Sequence, residues 1–340
     1  MSAPSPSLVW HARLGWTRAS YLLVSLLFAS IVVIGIVWWP LLDDYVGSFD
    51  PRVAWWRQVD WLLLGVFGLM TVLIMARADV KRDLRTVAVG LMGGLVIESW
   101  GTQTGLWTYY TLERPPLWII PAWPIASLAI DRLTGFLAPA ATRLPRRTTG
   151  AVYAATFGVF AVLMLDFIRP AIGMSLTVTA MLLCAFLIAT PVQPRVALAT
   201  FAAGAALGTF LEWWGTTRGC WIYYTFETPP LFAVLAHGMA AVAFWRTGDA
   251  LSRMAGKVAG RGRPRGARSK SASQSHEAPS SGWGCPPMLS PALHRLTLYL
   301  GGPRMSAARG DIRRPALSGL GLWRLGSADR RRRFQGIWRG

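Results

Sequence analysis

The sequence predicts an all-α membrane protein, a polytopic helix bundle of about eight spans with a disordered basic C-terminal tail. Hydrophobic residues make up 53% of the 340 residues and charged residues only 15%, whereas a soluble domain averages roughly a quarter charged residues. Eight apolar stretches are long enough, or nearly long enough, to cross a bilayer. A 20-residue segment at 98–117 recurs at 212–231, 114 positions later. Together these observations predict a bundle with an internal repeat.

The apolar stretches follow one another with short connections. They cover residues 21–39, 61–76, 86–100, 117–130, 150–168, 171–190, 196–214 and 231–245. The first ends in Trp-Trp-Pro without a small-residue cleavage pattern, so we expect an uncleaved span rather than a signal peptide. The second, third, fourth and eighth are short for a full span, so their boundaries are the least defined.

Charge is concentrated at the C-terminus. The formal net charge is +19, and residues 246–340 hold 19 of the 35 Lys and Arg but only 4 of the 16 Asp and Glu. This polar tail predicts disorder and contact with anionic lipid headgroups. Nucleic-acid binding is not expected, because aromatic residues are not interleaved with the basic ones.

The basic residues of the body also give an orientation. With eight spans and a cytoplasmic N-terminus, 11 Lys and Arg fall on the inner side and 5 on the outer side. This asymmetry follows the positive-inside rule. We therefore expect a multi-pass protein of the cytoplasmic (inner) membrane, with both termini cytoplasmic.

The recurring segment defines the expected domain organisation. The two copies, ESWGTQTGLWTYYTLERPPL and EWWGTTRGCWIYYTFETPPL, share 13 residues without a gap. Because they lie four spans apart they face the same side, which predicts a parallel repeat of two four-helix halves. The expected parts are an N-terminal segment at 1–20, a first repeat at 21–132, a second repeat at 133–246 and the tail at 247–340.

Four ionisable residues at similar depth are the candidate catalytic groups. Glu98 and Glu212 stand inside apolar runs, where a charged side chain costs on the order of 2.5–3.5 kcal/mol and usually faces the bundle interior or a wet cavity. The alternative is that each glutamate reaches the interface or binds backbone N–H groups. Asp166 ends the fifth stretch. His237 occupies the position of Trp123 in the first half, and a lone histidine on an apolar helix is often a satisfied core residue.

Aromatic residues recur with the glutamates and are the candidate substrate-binding groups. They are Trp100, Trp107, Tyr109, Tyr110, Trp214, Trp221, Tyr223 and Tyr224. An interfacial belt of Trp and Tyr is one interpretation. The other is a ring-lined pocket for an apolar, conjugated or cationic species, which the matched spacing favours.

Motifs for bound cofactors are absent from the sequence. It contains no P-loop, dinucleotide fingerprint or H-E-x-x-H pattern. The three cysteines, Cys184, Cys220 and Cys285, have no spacing typical of a zinc site or a disulfide framework. We therefore expect no cofactor and no metal.

These residues give the chain a loose resemblance to the carotenoid biosynthesis membrane-protein family. That family includes hydratases of the bisanhydrobacterioruberin type and is distantly similar to integral-membrane lycopene cyclases. The resemblance rests on Glu98, the Gly101–Gly105 turn, the Tyr109–Tyr110 pair and the proline-led next helix, which recur from Glu212 onward, and on Asp166 followed by Pro170 and Ala171. It covers about 150 residues, and the Trp-rich loops and His237 depart from it.

The resemblance implies a cofactor-independent hydratase or cyclase that acts on a carotenoid or another isoprenoid by protonating a C=C bond. Glu98 and Glu212 would then be the acid and base candidates. Two other functions stay open on the sequence: a non-enzymatic protein that binds or moves a lipid or small molecule at the repeat interface, and an assembly protein whose aromatic loops form contacts. Self-association into a homo-oligomer is also open.

Overall fold

The computed structural model describes residues 15–189 and 193–261, with side chains up to Ala255. The described chain is mostly helical, with nine α-helices and one small ribbon. They are α1 (Arg18–Val37), α2 (Trp39–Gly47), α3 (Trp61–Met75), α4 (Val80–Gln103), β1 (Trp107–Tyr109), α5 (Ala122–Thr142), α6 (Arg146–Phe167), α7 (Ser175–Ile188), α8 (Pro194–Thr217), β2 (Trp221–Tyr223) and α9 (Leu231–Arg261). Most of the expected N-terminal segment, and the tail from residue 262 onward, lie outside the described residues.

Each of the eight apolar stretches coincides for most of its length with a different helix, and the first also reaches Trp39 at the start of α2. In the described part of the chain, four helices are long and apolar enough to cross a membrane: α1, α6, α8 and residues Leu231–Ala255 of α9. Two more, α3 and α7, are shorter apolar helices. The short helix α2 was not expected from the sequence. These features indicate a membrane protein.

Several helix boundaries differ from the sequence-based expectation. Helix α4 begins at Val80, not near 86, because the Asp79 carboxylate accepts a hydrogen bond from the Arg82 backbone N–H (2.8 Å) and caps the helix. Helix α9 continues to Arg261, past the expected boundary at 247. An ion pair between Asp249 and Arg253, one turn apart, supports this continuation.

Helix α8 lies at the centre of the bundle. It packs against α9, α5, α6 and α3, while α4 packs against α5 and α9. Small residues allow the closest of these approaches: a Cβ atom on Gly204 would lie 2.8 Å from the His237 carbonyl oxygen of α9. Small residues at such positions are typical of helix contacts in membranes, and this contact places α9 directly beside α8.

The outer surfaces of α1, α6 and α7 carry large apolar side chains. Ile36, Val162, Leu182 and Phe186 are each at least two-thirds exposed. An exposed apolar surface of this kind is rare on soluble monomers and marks an interaction with a membrane or a partner. It suits contact with lipid.

A buried ion pair fixes the end of the bundle opposite the ribbon. The Arg132 guanidinium lies 2.7 Å from the Asp83 carboxylate, and both side chains are at most 5% exposed. Arg132 also donates through Nε to the Ala76 carbonyl at the end of α3 (2.7 Å). Losing either partner would leave an unpaired buried charge, which is strongly destabilising. The ion pair holds α4 to α5, and the hydrogen bond to Ala76 holds α5 to the end of α3.

Candidate functional site

The two copies of the recurring segment pair with each other. Strands β1 and β2 form an antiparallel ribbon in which Thr108 lies opposite Ile222, the residue at the same position of the second copy. Backbone bonds flank the ribbon: the Tyr110 N–H donates to the Cys220 carbonyl (3.2 Å), and the Tyr224 N–H donates to the Leu106 carbonyl (3.1 Å). The register is thus symmetric, and the two copies lie side by side.

Each strand is turned back onto the helix that precedes it. Helix α4 is followed by Gly105 at φ +71, and helix α8 by Gly219 at φ +68. This left-handed conformation is typical after a helix C-terminus and favours glycine. The turn lets the Leu106 N–H donate to the Gly101 carbonyl, and the Cys220 N–H to its equivalent on Gly215, each at 2.9 Å.

Glycine within each helix makes room for the returning indole. A Cβ atom on Gly101 would lie 1.9 Å from the Trp107 ring, and one on Gly215 would lie 1.9 Å from the Trp221 ring. Each indole therefore rests directly on the helix backbone, beside the glutamate three residues earlier. This contact brings the indole N–H within reach of the carboxylate.

Glu98 accepts three hydrogen bonds from ring donors. Trp107 Nε1 donates to Oε2 (3.1 Å), while the Tyr109 hydroxyl (2.9 Å) and Trp123 Nε1 (3.1 Å) donate to Oε1. The residue is only 3% exposed. A buried carboxyl needs such partners in place of water. Strand β1 supplies two of the donors, and helix α5 supplies the third.

Glu212 has the corresponding set of partners. Trp221 Nε1 donates to Oε2 (3.0 Å), the Tyr223 hydroxyl donates to Oε1 (2.9 Å), and His237 Nε2 lies 2.9 Å from Oε1. Glu212 is also 3% exposed. His237 thus takes the place of Trp123, and whether its Nε2 donates or accepts depends on the tautomer.

Both glutamate side chains are buried inside the bundle. Their oxygens contact aromatic rings and not the backbone N–H groups that the alternative interpretation expected. The buried hydroxyls of Tyr109 and Tyr223, which lie on the strands, complete this arrangement. Burial and then the neighbouring carboxylate raise the pKa of each hydroxyl well above its ordinary value. Both tyrosines therefore stay protonated and can donate.

Both glutamates line one large apolar cavity. Its volume is about 880 Å³, and most of its wall consists of aliphatic and aromatic side chains from α3, α4, α6, α7 and α9. Along α9 the lining runs from Phe232 to Leu251, which at 1.5 Å per residue is roughly 28 Å. Apolar walls with a few convergent polar groups are typical of small-molecule sites. The length suits an elongated apolar molecule.

The structure brings most of the sequence-predicted residues to this cavity. Besides the two glutamates, the lining includes His237, Trp100, Trp107, Tyr109, Trp214, Trp221 and Tyr223. Tyr110 and Tyr224 are not among the lining residues, contrary to expectation. Each follows the last residue of its strand, and their hydroxyls donate to the backbone carbonyls of Val37 and Phe167 respectively.

Asp166 also lies elsewhere. Its side chain is 64% exposed at the end of α6 and forms an ion pair with Arg169 at 3.1 Å. The helix end places this carboxylate at the surface, where charge is hydrated, and away from the buried glutamates. The expected grouping of four ionisable residues is therefore reduced to three.

Two further residues of the site were missed on the sequence. Trp123 follows Glu98 by 25 residues, as His237 follows Glu212, so equal spacing was the available signal. Asp60 accepts from Trp214 Nε1 (2.9 Å) and from Arg218 Nε (2.9 Å) and caps α3 through the Leu63 N–H (3.2 Å). No sequence pattern links Asp60 to the second copy, because the contact joins residues 154 and 158 positions apart.

Among the described residues, no three His, Cys, Asp or Glu side chains come together in a way that could hold a metal ion. The chain matches no protein-family model, no curated protein and no solved structure.

Proposed function

We propose that this protein is an integral-membrane, cofactor-independent hydratase or cyclase that acts on an elongated isoprenoid of the carotenoid type. One observation carries the proposal: two buried glutamates and a histidine line a single apolar cavity of about 880 Å³. An apolar polyene would fill such a cavity, while the carboxyl and imidazole groups supply acid and base. The resemblance noted in the sequence to carotenoid hydratases is consistent with this chemistry.

The reaction requires a proton donor beside a C=C bond. The acid transfers its proton to one alkene carbon, whose new C–H bond uses the π electrons and leaves a tertiary cation on the other carbon. In hydration, a water oxygen bonds to that cation and loses a proton to the base, so one water is added overall. In cyclisation, a second C=C bond attacks the cation and a proton is lost from an adjacent carbon.

The aromatic walls suit the cationic intermediate. Trp107, Tyr109, Trp221 and Tyr223 surround the two carboxyls and line the cavity. The faces of such rings attract a positive charge, and the effect grows when water is excluded. These rings would shield the cationic carbon from premature capture.

The architecture proposed for this function has eight spans arranged as a parallel four-plus-four repeat, with both termini in the cytoplasm. The symmetric β1–β2 register supports it, as does the 11-to-5 distribution of basic residues. The proposed halves are residues 21–132 and 133–246, and each contributes one glutamate. The cavity would then lie in the bilayer, where an isoprenoid substrate is dissolved.

A second candidate function is the binding or transport of a lipid or small molecule without chemistry. The observation that favours it is the occupation of both carboxylates by protein groups: Glu98 accepts three hydrogen bonds from rings, and Glu212 accepts two and contacts His237 Nε2. Carboxylates bound in this way would stabilise the ribbon without taking part in a reaction.

Pigment analysis separates the two candidates. The chain is expressed in a host that makes linear carotenoids, and the extract is examined by liquid chromatography and mass spectrometry. We expect a new product that is heavier by one water, or a cyclised isomer of unchanged mass. Glu212→Gln should abolish it, whereas Asp166→Asn, which changes an exposed carboxyl, should not.

Equal amounts of each variant in the membrane are verified by immunoblot. Wild-type protein that leaves the pigments unchanged but co-purifies with intact carotenoid or lipid would support the binding function instead.

A further inference from the structure

We propose that the Glu212–His237 pair is the proton-exchanging half of the site, supplied with water through a separate polar cavity, and that Glu98 is a fixed hydrogen-bond acceptor. This inference rests on the proposed function, because proton exchange at Glu212 would serve the proposed reaction. The contacts that support it and the experiments that test it do not depend on turnover.

A second cavity approaches His237 from the end of the bundle opposite the ribbon. It has a volume of about 330 Å³ and lies between α4, α5, α8 and α9. Its walls carry charged and hydroxyl groups, among them Arg82, Arg85, Asp131, Thr134, Thr200 and Asp249. His237 and Trp123 line both this polar cavity and the large apolar one. These two rings therefore form part of the wall between the two spaces.

Charged and hydroxyl side chains on its wall suit the polar cavity to water. The side-chain oxygens of Thr134 and Thr200 are fully buried and have no hydrogen-bond partner among the described residues. A buried hydroxyl without a partner is unfavourable, and ordered water commonly satisfies such groups. The volume has room for on the order of ten water molecules. Water would thus reach the edge of the His237 ring.

None of the three groups that contact Glu98 can carry a proton between it and the polar cavity. Trp107 contacts one of its oxygens and Trp123 contacts the other, and an indole N–H can only donate. Although Trp123 also borders the polar cavity, it cannot carry a proton between the carboxyl and water. The Tyr109 hydroxyl, the remaining partner of Glu98, belongs to a ring that lines only the apolar cavity.

Glu212 differs at one partner, and that partner can both accept and donate. His237 Nε2 lies 2.9 Å from Glu212 Oε1, and the neutral imidazole ring has one nitrogen that donates and one that accepts. The other ionisable group in contact with this carboxyl is Tyr223. Tyr109 and Glu98 are the ionisable groups at the equivalent positions of the first copy. On the polar side, Arg82, Arg85, Asp131 and Asp249 line the route. A proton can therefore pass from water through His237 to Glu212.

Thiol labelling tests the water route. In a background with Cys184, Cys220 and Cys285 changed to alanine, Thr200→Cys and Thr134→Cys place a thiol in the polar cavity. Ala199→Cys is the matched control, because Ala199 precedes Thr200 on α8, is equally buried and lines neither cavity. A membrane-impermeant cationic methanethiosulfonate is added to vesicles with the cytoplasmic face outward.

We expect both cavity thiols to react at least tenfold faster than the control thiol. Rates for both cavity thiols that match the rate at position 199 would overturn the water route.

Infrared spectroscopy of the purified protein tests the assignment of the proton. The C=O band of a protonated carboxylic acid is followed during a pH titration in H2O and in D2O. We expect a titrating band from a buried carboxyl that is present in wild type and in Glu98→Gln and absent in Glu212→Gln. In His237→Phe it should exchange with D2O at least tenfold more slowly.

Loss of the band in Glu98→Gln, or its persistence in both glutamine variants, would overturn the assignment. Because neither measurement uses a substrate, a failure here is distinct from a failure of the proposed activity.

Discussion

At the scale of single residues, the two buried glutamates have equivalent partners except for one ring, which is Trp123 at Glu98 and His237 at Glu212. Trp123 and His237 stack on each other, with ring centroids 5.9 Å apart and planes inclined by 18°. Each ring contacts the glutamate of its own half through a ring nitrogen. A pair of side chains that is nearly symmetric in position is thus asymmetric in chemistry, and this asymmetry predicts different responses to the same substitution.

We expect Glu98→Gln to destabilise the protein more than Glu212→Gln. In the first variant the amide NH2 must face the N–H of either Trp107 or Trp123. Two donors then oppose each other and one hydrogen bond is lost, which costs about 1–3 kcal/mol of stability. In the second variant the NH2 can face Tyr223 and His237, both of which can accept. Unfolding in detergent, followed by circular dichroism at increasing denaturant, measures the difference.

A double variant serves as the control for this explanation. Trp107→Phe removes one opposing N–H, so its effect and that of Glu98→Gln should be less than additive. Equal destabilisation by the two single glutamine changes would contradict the assigned donor pattern.

The sequence predicted part of this site at the residue scale. Glu98 and Glu212 could be predicted as buried because unpaired charge is so unfavourable in hydrocarbon. The exclusion of Tyr110 and Tyr224 could not, since it depends on the direction in which the chain leaves each three-residue strand. His237 looked like a break in the repeat because residue identity changed while the contact did not.

At the scale of elements, the repeated unit is a helix, a glycine turn and a strand. The indole of each strand lies against a glycine of the helix, at Gly101 in α4 and at Gly215 in α8. Strands of three residues are too short to be stable alone. Each therefore depends on its partner strand and on the helix beneath it.

Gly101→Ala should displace the Trp107 indole and weaken the ribbon. The added methyl group would overlap ring atoms at 1.9 Å, and overpacking of this kind typically costs about 1–3 kcal/mol. Gly68→Ala in α3 is the matched control, because a Cβ atom there meets nothing within 4 Å and alanine favours the helix. Thermal unfolding followed by tryptophan fluorescence should show a lower midpoint for the first variant only.

If Gly101→Ala unfolds at the wild-type temperature, the close contact between the indole and the helix is contradicted.

The elements were predicted unevenly. Apolar stretches located all eight long or moderately long helices, because burial and lipid contact both select apolar residues. The ends of α4 and α9 were missed, since capping by Asp79 and the ion pair of Asp249 with Arg253 extend helices into polar sequence. The ribbon had no local signal because its hydrogen bonds join segments 114 residues apart.

At the scale of the whole molecule, the proposed orientation rests on the distribution of basic residues. With the proposed eight spans, the connections near Arg77 and Leu144 face the cytoplasm, and those near Glu113 and Gly173 face outward. Single cysteines at these exposed positions, in the cysteine-free background, should label with impermeant reagent from opposite sides of sealed vesicles. Labelling of positions 113 and 144 from the same side would contradict the orientation.

Two copies of one segment meet in the ribbon and place two buried glutamates on a single cavity. Disulfide cross-linking tests this arrangement most directly. Thr108→Cys and Ile222→Cys are introduced together in the cysteine-free chain, with a protease site inserted between Arg143 and Leu144. The two positions are directly opposite in the ribbon, and facing residues of antiparallel strands have Cβ atoms about 4.5–5.5 Å apart.

After mild oxidation in native membranes and cleavage at the inserted site, we expect the two fragments to migrate together without reductant and apart with it. Each single-cysteine variant should give separate fragments in both conditions. Fragments of the double variant that separate without reductant, in protein that is inserted and folded, would contradict the pairing and with it the shared cavity.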